Sequence, residues 1–243
     1  MRNDLYGRYA IWKGWYLSKF GTLDLEQSLY FSRELRQCGC PDLHGLRVLE
    51  IGFGNGAFAS WAAKQGANYQ GTEVIPELVA RAQNSGLAVY GSGIPINSFV
   101  DIGSLDIAVA FDVFEHIPVD SLKDLLRSLS GPLKASGLVI ARVPSGDSPF
   151  SRAIQHGDLT HKCTLGSSAI RQLAIETGYR VVSIRDSALP IRGLGLTTCL
   201  RRLGVVTIRK LSYRLITMLM GGGPFILSPN MTFVLQREAS LEG

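Results

Sequence analysis

Arg47-Val-Leu-Glu-Ile-Gly-Phe-Gly-Asn-Gly56 reads as a short apolar strand that runs into a glycine-rich turn. A helix follows to about Gln65, and Tyr69-Gln-Gly-Thr-Glu73 is a second strand ending on an acid. Strand, Gly-x-Gly-x-Gly turn and helix together form a nucleotide-binding unit. Small residues let a ligand approach the backbone, and the helix start offers free N–H groups. The alternation continues outward. Pro76 suits the first turn of a helix to Asn84; Leu87–Tyr90 and Leu105–Phe111 are strands. Asp120 or Ser121 is expected to cap a helix to Leu129, which Gly131-Pro132 ends. Gly137–Val143 is a fifth strand. Ser167–Thr177 is a helix closed by Gly178, Tyr179–Arg185 a sixth strand and Met231–Gln236 a last one. Helices between strands predict an α/β fold with a doubly wound, mostly parallel sheet.

The 243 residues are 46% hydrophobic and 19% charged, a composition that excludes a disordered or fibrous chain. Cys38, Cys40, Cys163 and Cys199 match no zinc or disulfide spacing, so they are expected to be reduced and the protein cytoplasmic. No run of 18 apolar residues is present, which argues against a transmembrane helix. Four regions are expected: a helical cap over 1–45, the nucleotide-binding core over 46–185, a basic amphipathic insertion over 186–229, and a final strand and tail over 230–243. The cap is rich in aromatics (Tyr6, Tyr9, Trp12, Trp15, Tyr16, Phe20, Tyr30, Phe31); it is expected on the sheet edge, with a pocket lid as the functional alternative. The net charge of +5 is concentrated between Arg185 and Arg214, which hold seven basic residues and one acid. Such a patch suits an anionic substrate, a membrane surface or nucleic acid. Within it Leu200, Leu203, Ile208, Leu211, Leu215 and Met218 approximate a helical stripe, with the arginines on other faces. Three roles follow for the insertion: a structural cap, a lid with its stripe on the sheet, or a membrane-surface helix peripheral to the inner membrane face. Gly193, Gly195 and Gly221–Gly223 are its candidate hinges.

Two features point away from a dinucleotide, although Gly52-x-Gly54-x-x-Ala57 meets the loose fingerprint. Glu50 stands just before the glycines, where it would repel a pyrophosphate but tolerate a ligand carrying sulfonium and ammonium charges. The second is Phe111-Asp-Val-Phe-Glu-His-Ile-Pro118 after the fourth strand. With Val48–Gly56, Gly71-Thr-Glu73 and Gly137-Leu-Val-Ile-Ala-Arg142, this stretch resembles the class I S-adenosylmethionine-dependent methyltransferases. The resemblance covers about Leu46 to Arg185 and the final strand. It implies a seven-stranded Rossmann-like sheet with an antiparallel last strand and S-adenosylmethionine as cofactor. Ser145–Phe150 and Gln155–His161 look like bacterial members of surface-polysaccharide or related small-molecule pathways.

The resemblance assigns roles residue by residue. Gly52, Phe53, Gly54 and Gly56 would wrap the aminocarboxypropyl end of the cofactor, Glu50 would orient that loop and the ammonium group, and Glu73 would hold the ribose. Ser92 stands where many members place Asp near the adenine; Phe111 and Asp112 would line the cofactor beside the methyl. For a hydroxyl acceptor a base is needed. His161 and His156, with Asp158 to orient either, are the catalytic candidates, because the loop after the fifth strand opens on the cofactor side. His44 is expected on the surface and His116 in a structural role at a helix start. No metal is expected. The alternative is a divalent site of Asp112-x-x-Glu115-His116 with His161, similar to that of metal-dependent small-RNA 2′-O-methyltransferases. The leading expectation is O-methylation of a sugar, glycolipid precursor or small metabolite, the acceptor anionic or lipid-linked. RNA methylation, non-catalytic cofactor binding and NAD-dependent redox chemistry rank behind it; no RNA-binding module is recognised.

Overall fold

The computed structural model describes residues 8–15, 19–220 and 226–238. Tyr6, Tyr16 and the proposed hinge at Gly221–Gly223 lie outside the described residues. Seven strands, β1 (Arg47–Ile51), β2 (Asn68–Glu73), β3 (Ala88–Gly91), β4 (Leu105–Phe111), β5 (Leu133–Pro144), β6 (Tyr179–Asp186) and β7 (Asn230–Arg237), form one sheet in the order β3-β2-β1-β4-β5-β7-β6. The strands from β3 to β5 pair in parallel; β7 runs antiparallel between β5 and β6. The helices are α1 (Tyr9–Trp12), α2 (Leu25–Gln37), α3 (Ala57–Lys64), α4 (Pro76–Asn84), α5 (Val119–Ser130), α6 (Arg152–Gln155), α7 (Ser167–Thr177) and α8 (Leu196–Met220).

Alternate residues of each central strand enter opposite cores. Leu49, Ala108 and Phe233 pack with Leu122 and Leu126 of α5 and Ile170 of α7. Val48, Val109 and Val234 pack with Phe31 of α2, Phe58 and Trp61 of α3 and Leu78 of α4. The chain works outward from β1 to β3 and then returns to β4 beside β1. That reversal opens a crevice at the carboxyl ends of β1 and β4, the place where sheets of this kind bind ligands.

Local chemistry sets the element ends. Asp24 and Gln27 make a reciprocal capping box at the start of α2, and Gly178 closes α7 in a left-handed conformation. The expected cap of α5 at Asp120 or Ser121 is corrected. Pro118 stands at the N-cap without a side-chain bond, the helix begins at Val119, and Asp120 falls within its first turn, where it complements the helix dipole. Buried Glu34 of α2 accepts from Arg185 Nη2 at 2.5 Å and from the Ala188 amide at 2.6 Å, fastening α2 to the end of β6.

The insertion is one long helix, but its rotation differs from the lid expectation. Leu200, Leu203, Ile208, Leu211, Leu215 and Met218 face solvent, and Arg202 is the buried residue. The guanidinium of Arg202 donates to the Pro190 carbonyl at 2.7 Å and pairs with Glu26 at the start of α2. These two partners turn the basic residue inward and the leucines outward.

Candidate active site

Gly52, Gly54 and Gly56 all have positive φ, at 70°, 53° and 78°, which side chains disfavour. Space is tight as well: a Cβ on Gly54 would stand 3.0 Å from the Trp15 ring, and one on Gly56 2.3 Å from the Phe20 ring. The amides of Gly52 and Phe53 donate to the Thr72 carbonyl at 2.7 and 3.2 Å, pinning the loop to β2. The Phe53 side chain is buried in the core, edge-on to Phe20, so only its backbone belongs to the loop.

Two buried carboxylates stand beside this loop, and Glu73 bonds to it. Glu73 Oε2 accepts from the Gly54 amide at 2.9 Å, while Oε1 accepts from Val74 and Ile75 at 2.8 and 3.1 Å. Of about four acceptor positions on a carboxylate, roughly one remains for a ribose hydroxyl. Burial raises the Glu73 pKa, against the pull of those three amides. Glu50 accepts a 2.6 Å bond from the Tyr69 hydroxyl. Burial lifts its pKa from an ordinary 4.5 to about 8, with Tyr69 opposing and Glu73 adding to the rise. Two buried acids with raised pKa values, beside the glycine backbone, fit a ligand that brings positive charge. Exposed Ser92 donates its amide to the Glu73 carbonyl at 2.9 Å, which holds it next to that acid.

Asp112, just after β4, has φ 58° and receives Arg142 Nε at 2.8 Å. A side chain in the left-handed region is uncommon and costs conformational energy, here held by an ion pair. Phe111 turns away into a ring cluster with Tyr30, Phe31 and Phe58, and the Arg142 guanidinium lies 4.8 Å from the Tyr30 ring.

Beside Asp112 opens a cavity of about 310 Å³. Glu115, His116, Asp158 and His161 line it, and Tyr9, Trp12 and Lys13 reach into it from the N-terminal segment. The loop after β5 docks on the 3-10 turn Phe114–His116 through the amides of Lys162 and Cys163, which donate to the Glu115 carbonyl at 2.7 and 3.2 Å. His161 Nδ1 lies 2.9 Å from the Gln155 carbonyl, which only accepts, so Nδ1 carries a proton and the lone pair of the neutral ring falls on Nε2. Asp158 faces that Nε2 at 4.0 Å. The Gln155 carbonyl therefore does the orienting expected of Asp158. Burial favours a neutral Asp158, but Thr160, His116 and Lys13 outweigh it and hold the pKa below its usual value. The Thr160 hydroxyl donates to Asp158 at 2.5 Å, so the 2.9 Å bond between His116 Nδ1 and that hydroxyl must use the imidazole's proton. Burial, and then His161, hold His116 below the usual imidazole range.

His156 is exposed at the C-cap of α6 and does not line this cavity; His44 is exposed too. His116 sits in the 3-10 turn before α5 and not at a helix start. Ligand atoms of Glu115, His116 and His161 lie within 4.8 Å of one another, whereas Asp112 is drawn aside to Arg142. A tight turn and a loop make that cluster, and a shared helix face does not. Sequence reasoning missed Lys13, Arg142, Thr160 and Gln155, and reached Tyr9 only as one aromatic of the alternative lid. Tyr9 and Lys13 reach Asp158 at 3.3 and 3.6 Å across almost the whole core sequence. Only Arg142, at the end of an apolar strand, left a signal that charge was wanted there.

A methyltransferase-domain family matches residues 25–184 of the chain, well over half of it. The chain belongs to the class I S-adenosylmethionine-dependent methyltransferases. It is a methyltransferase that uses S-adenosylmethionine. This methyltransferase is 27% identical over 161 residues to a ubiquinone biosynthesis O-methyltransferase of Actinobacillus pleuropneumoniae, covering 54% of the chain and 69% of that protein. Its fold is similar to a methyltransferase of Archaeoglobus fulgidus, with TM-score 0.61, 20% identity and coverage of 86% and 94% of the two chains. It is also similar to the Burkholderia thailandensis 1,6-didemethyltoxoflavin-N1-methyltransferase, with TM-score 0.58, 13% identity and coverage of 98% and 87%.

Proposed function

We propose that the methyltransferase methylates a hydroxyl of a sugar, glycolipid precursor or small metabolite, with His161 as general base. The observation that carries this reading is the Nδ1–H bond to the Gln155 carbonyl, which leaves the Nε2 lone pair in the cavity beside ionised Asp158. When bound, S-adenosylmethionine supplies a methyl group on positively charged sulfur. Gly52, Gly54 and Gly56 offer it backbone without side chains, Glu50 its counter-charge and Glu73 a remaining acceptor position. His161 Nε2 would take the proton of the acceptor hydroxyl as its oxygen gains the methyl group, the carbon–sulfur bond of the donor breaking to leave a neutral thioether. Asp158 favours the imidazolium that forms. A cavity of about 310 Å³ is at the small end of ligand sites, which suits one sugar ring or a compact metabolite, or that part of a larger acceptor. The Actinobacillus relative is named for O-methylation, which agrees. His161→Ala is expected to bind cofactor normally and to lose about 10²–10⁴ in turnover on the true acceptor. A screen of nucleotide sugars, lipid-linked glycans, small phenols and RNA identifies that acceptor. Full activity in His161→Ala sinks the base assignment.

One observation favours a second reading. Glu115 Oε2 is buried with no hydrogen-bond partner, and it belongs to the cluster with His116 and His161. A carboxylate and two imidazoles suit a borderline divalent cation, which would lower the acceptor's pKa in place of a free base. Metal analysis of the purified protein separates the two. Under the leading reading EDTA leaves activity unchanged; under the second it abolishes activity, a divalent ion restores it, and His161→Ala loses bound metal.

A further inference from the structure

We infer that α8 is an interfacial helix that holds the protein on an anionic lipid surface. The inference goes beyond methyl transfer and does not rest on the acceptor's identity. The six residues Leu200, Leu203, Ile208, Leu211, Leu215 and Met218 are each 51–74% exposed, on a helix whose opposite side carries buried Arg202. A helix turns about 100° per residue, so these side chains share one outward face. Exposed Arg201 flanks that face on one side, and exposed Lys210 and Arg214 flank it on the other. Leu196–Met220 contains five basic residues and no Asp or Glu.

That charge pattern selects the occupant. A second copy of the helix would set arginine against arginine with no acid to pair, and like charges repel. An anionic bilayer meets the basic flanks with phosphate and the apolar face with acyl chains, as interfacial helices do. Among the described residues no helix is long and apolar enough to cross a membrane, so α8 would lie on the surface. Its attachment is not a loose tether. Arg202 fixes it to Glu26 of α2, the helix whose Tyr30 stacks under Arg142 beside the cavity. A membrane-bound α8 therefore sets the depth of the cavity relative to the lipid headgroups.

The test is co-sedimentation of the full chain with vesicles of phosphatidylcholine alone, or with about a third phosphatidylglycerol. Binding is expected to anionic vesicles at low salt, and to fall at least about tenfold on neutral vesicles or when salt rises from about 0.05 to 0.5 M. Arg201→Glu/Lys210→Glu/Arg214→Glu is expected to weaken it by more than about tenfold, since each basic residue near the surface is worth roughly fivefold. Leu200→Gln/Leu211→Gln/Leu215→Gln should do the same. Arg202 is left intact, because reversing it would strike the attachment of α8. Circular dichroism checks that the variants fold, and the headgroup and salt dependence of the wild type decides the matter without them. No binding at low salt, equal binding by the folded variants, or a stable dimer that the leucine variant converts to monomer overturns the proposal.

Discussion

Among the described residues Glu50 meets no cation, only the Tyr69 hydroxyl and the nearby Glu73. With its pKa near 8 it holds a proton at neutral pH that the unfolded chain, at an ordinary 4.5, has released. Its contribution to stability is therefore full below the unfolded value and lost as pH rises through the folded one. Glu50→Gln, which is neutral throughout, is expected to raise the stability of the free enzyme by on the order of 2 kcal/mol at pH 8 and to change it little at pH 5. Thermal melts across that range check this. The same variant should bind S-adenosylmethionine at least about tenfold more weakly, because the counter-charge is gone. Wild-type binding at pH 7 should release a proton as Glu50 ionises, seen in calorimetry as a dependence on buffer ionisation enthalpy. Gly54→Ala meets both a positive φ and the Trp15 ring, and is expected to abolish cofactor binding and cost about 1–3 kcal/mol in stability. The glycine turn, Glu50 and Glu73 stand at fixed offsets from strand ends, so their place at the end of the sheet was legible; His161 was reached only through the loop after β5, together with His156. Phe53 was legible as part of the turn but the direction of its ring was not, since alternation past a strand end does not say whether a ring faces ligand or core. The contacts of Tyr9 and Lys13 were illegible for another reason: their partner Asp158 is 149 and 145 positions away, and no local pattern encodes such a meeting.

The N-terminal segment and α8 are the elements whose placement the sequence left open. Trp15 and Phe20 lie over the glycine loop, and Tyr9 and Lys13 enter the cavity, so this segment crosses the carboxyl ends of the strands and not the sheet edge. Trp15→Ala should weaken S-adenosylmethionine binding by about 1–2 kcal/mol, through loss of an aromatic cover, and speed its release in stopped-flow fluorescence. Arg202→Ala is expected to cost about 1–3 kcal/mol in a denaturant titration, since the Pro190 carbonyl loses its buried donor; Glu26, half exposed, is rescued by water. Periodicity located α8 and its stripe. It could not say which side faces the body, because that depends on Glu26, far away in sequence. The strand and helix ends marked by glycine and proline, such as Pro76 and Gly178, were legible to within a residue. The cap of α5 misled because two polar residues followed Pro118 and only geometry chooses between cap and first turn.

At the scale of the molecule, the alternation of strands and helices already implied the parallel part of the sheet, because crossovers of one hand leave few arrangements. That the last strand runs antiparallel came from family resemblance; its place between β5 and β6 is a finding of the structure, and no periodicity in residues 230–237 would have announced it. The site is likewise a product of topology: β1, β2, β4 and β5 each end at the same crevice, so residues scattered over 110 positions become neighbours. The N-terminal segment touches both halves of that crevice, Phe20 and Trp15 over the glycine loop and Tyr9 in the cavity. Displacing it for either ligand disturbs the seat of the other. Initial-rate kinetics should thus follow a compulsory sequence with donor first, and isotope trapping should show bound donor committed to turnover once acceptor arrives. Trp15→Ala should relax this toward random addition.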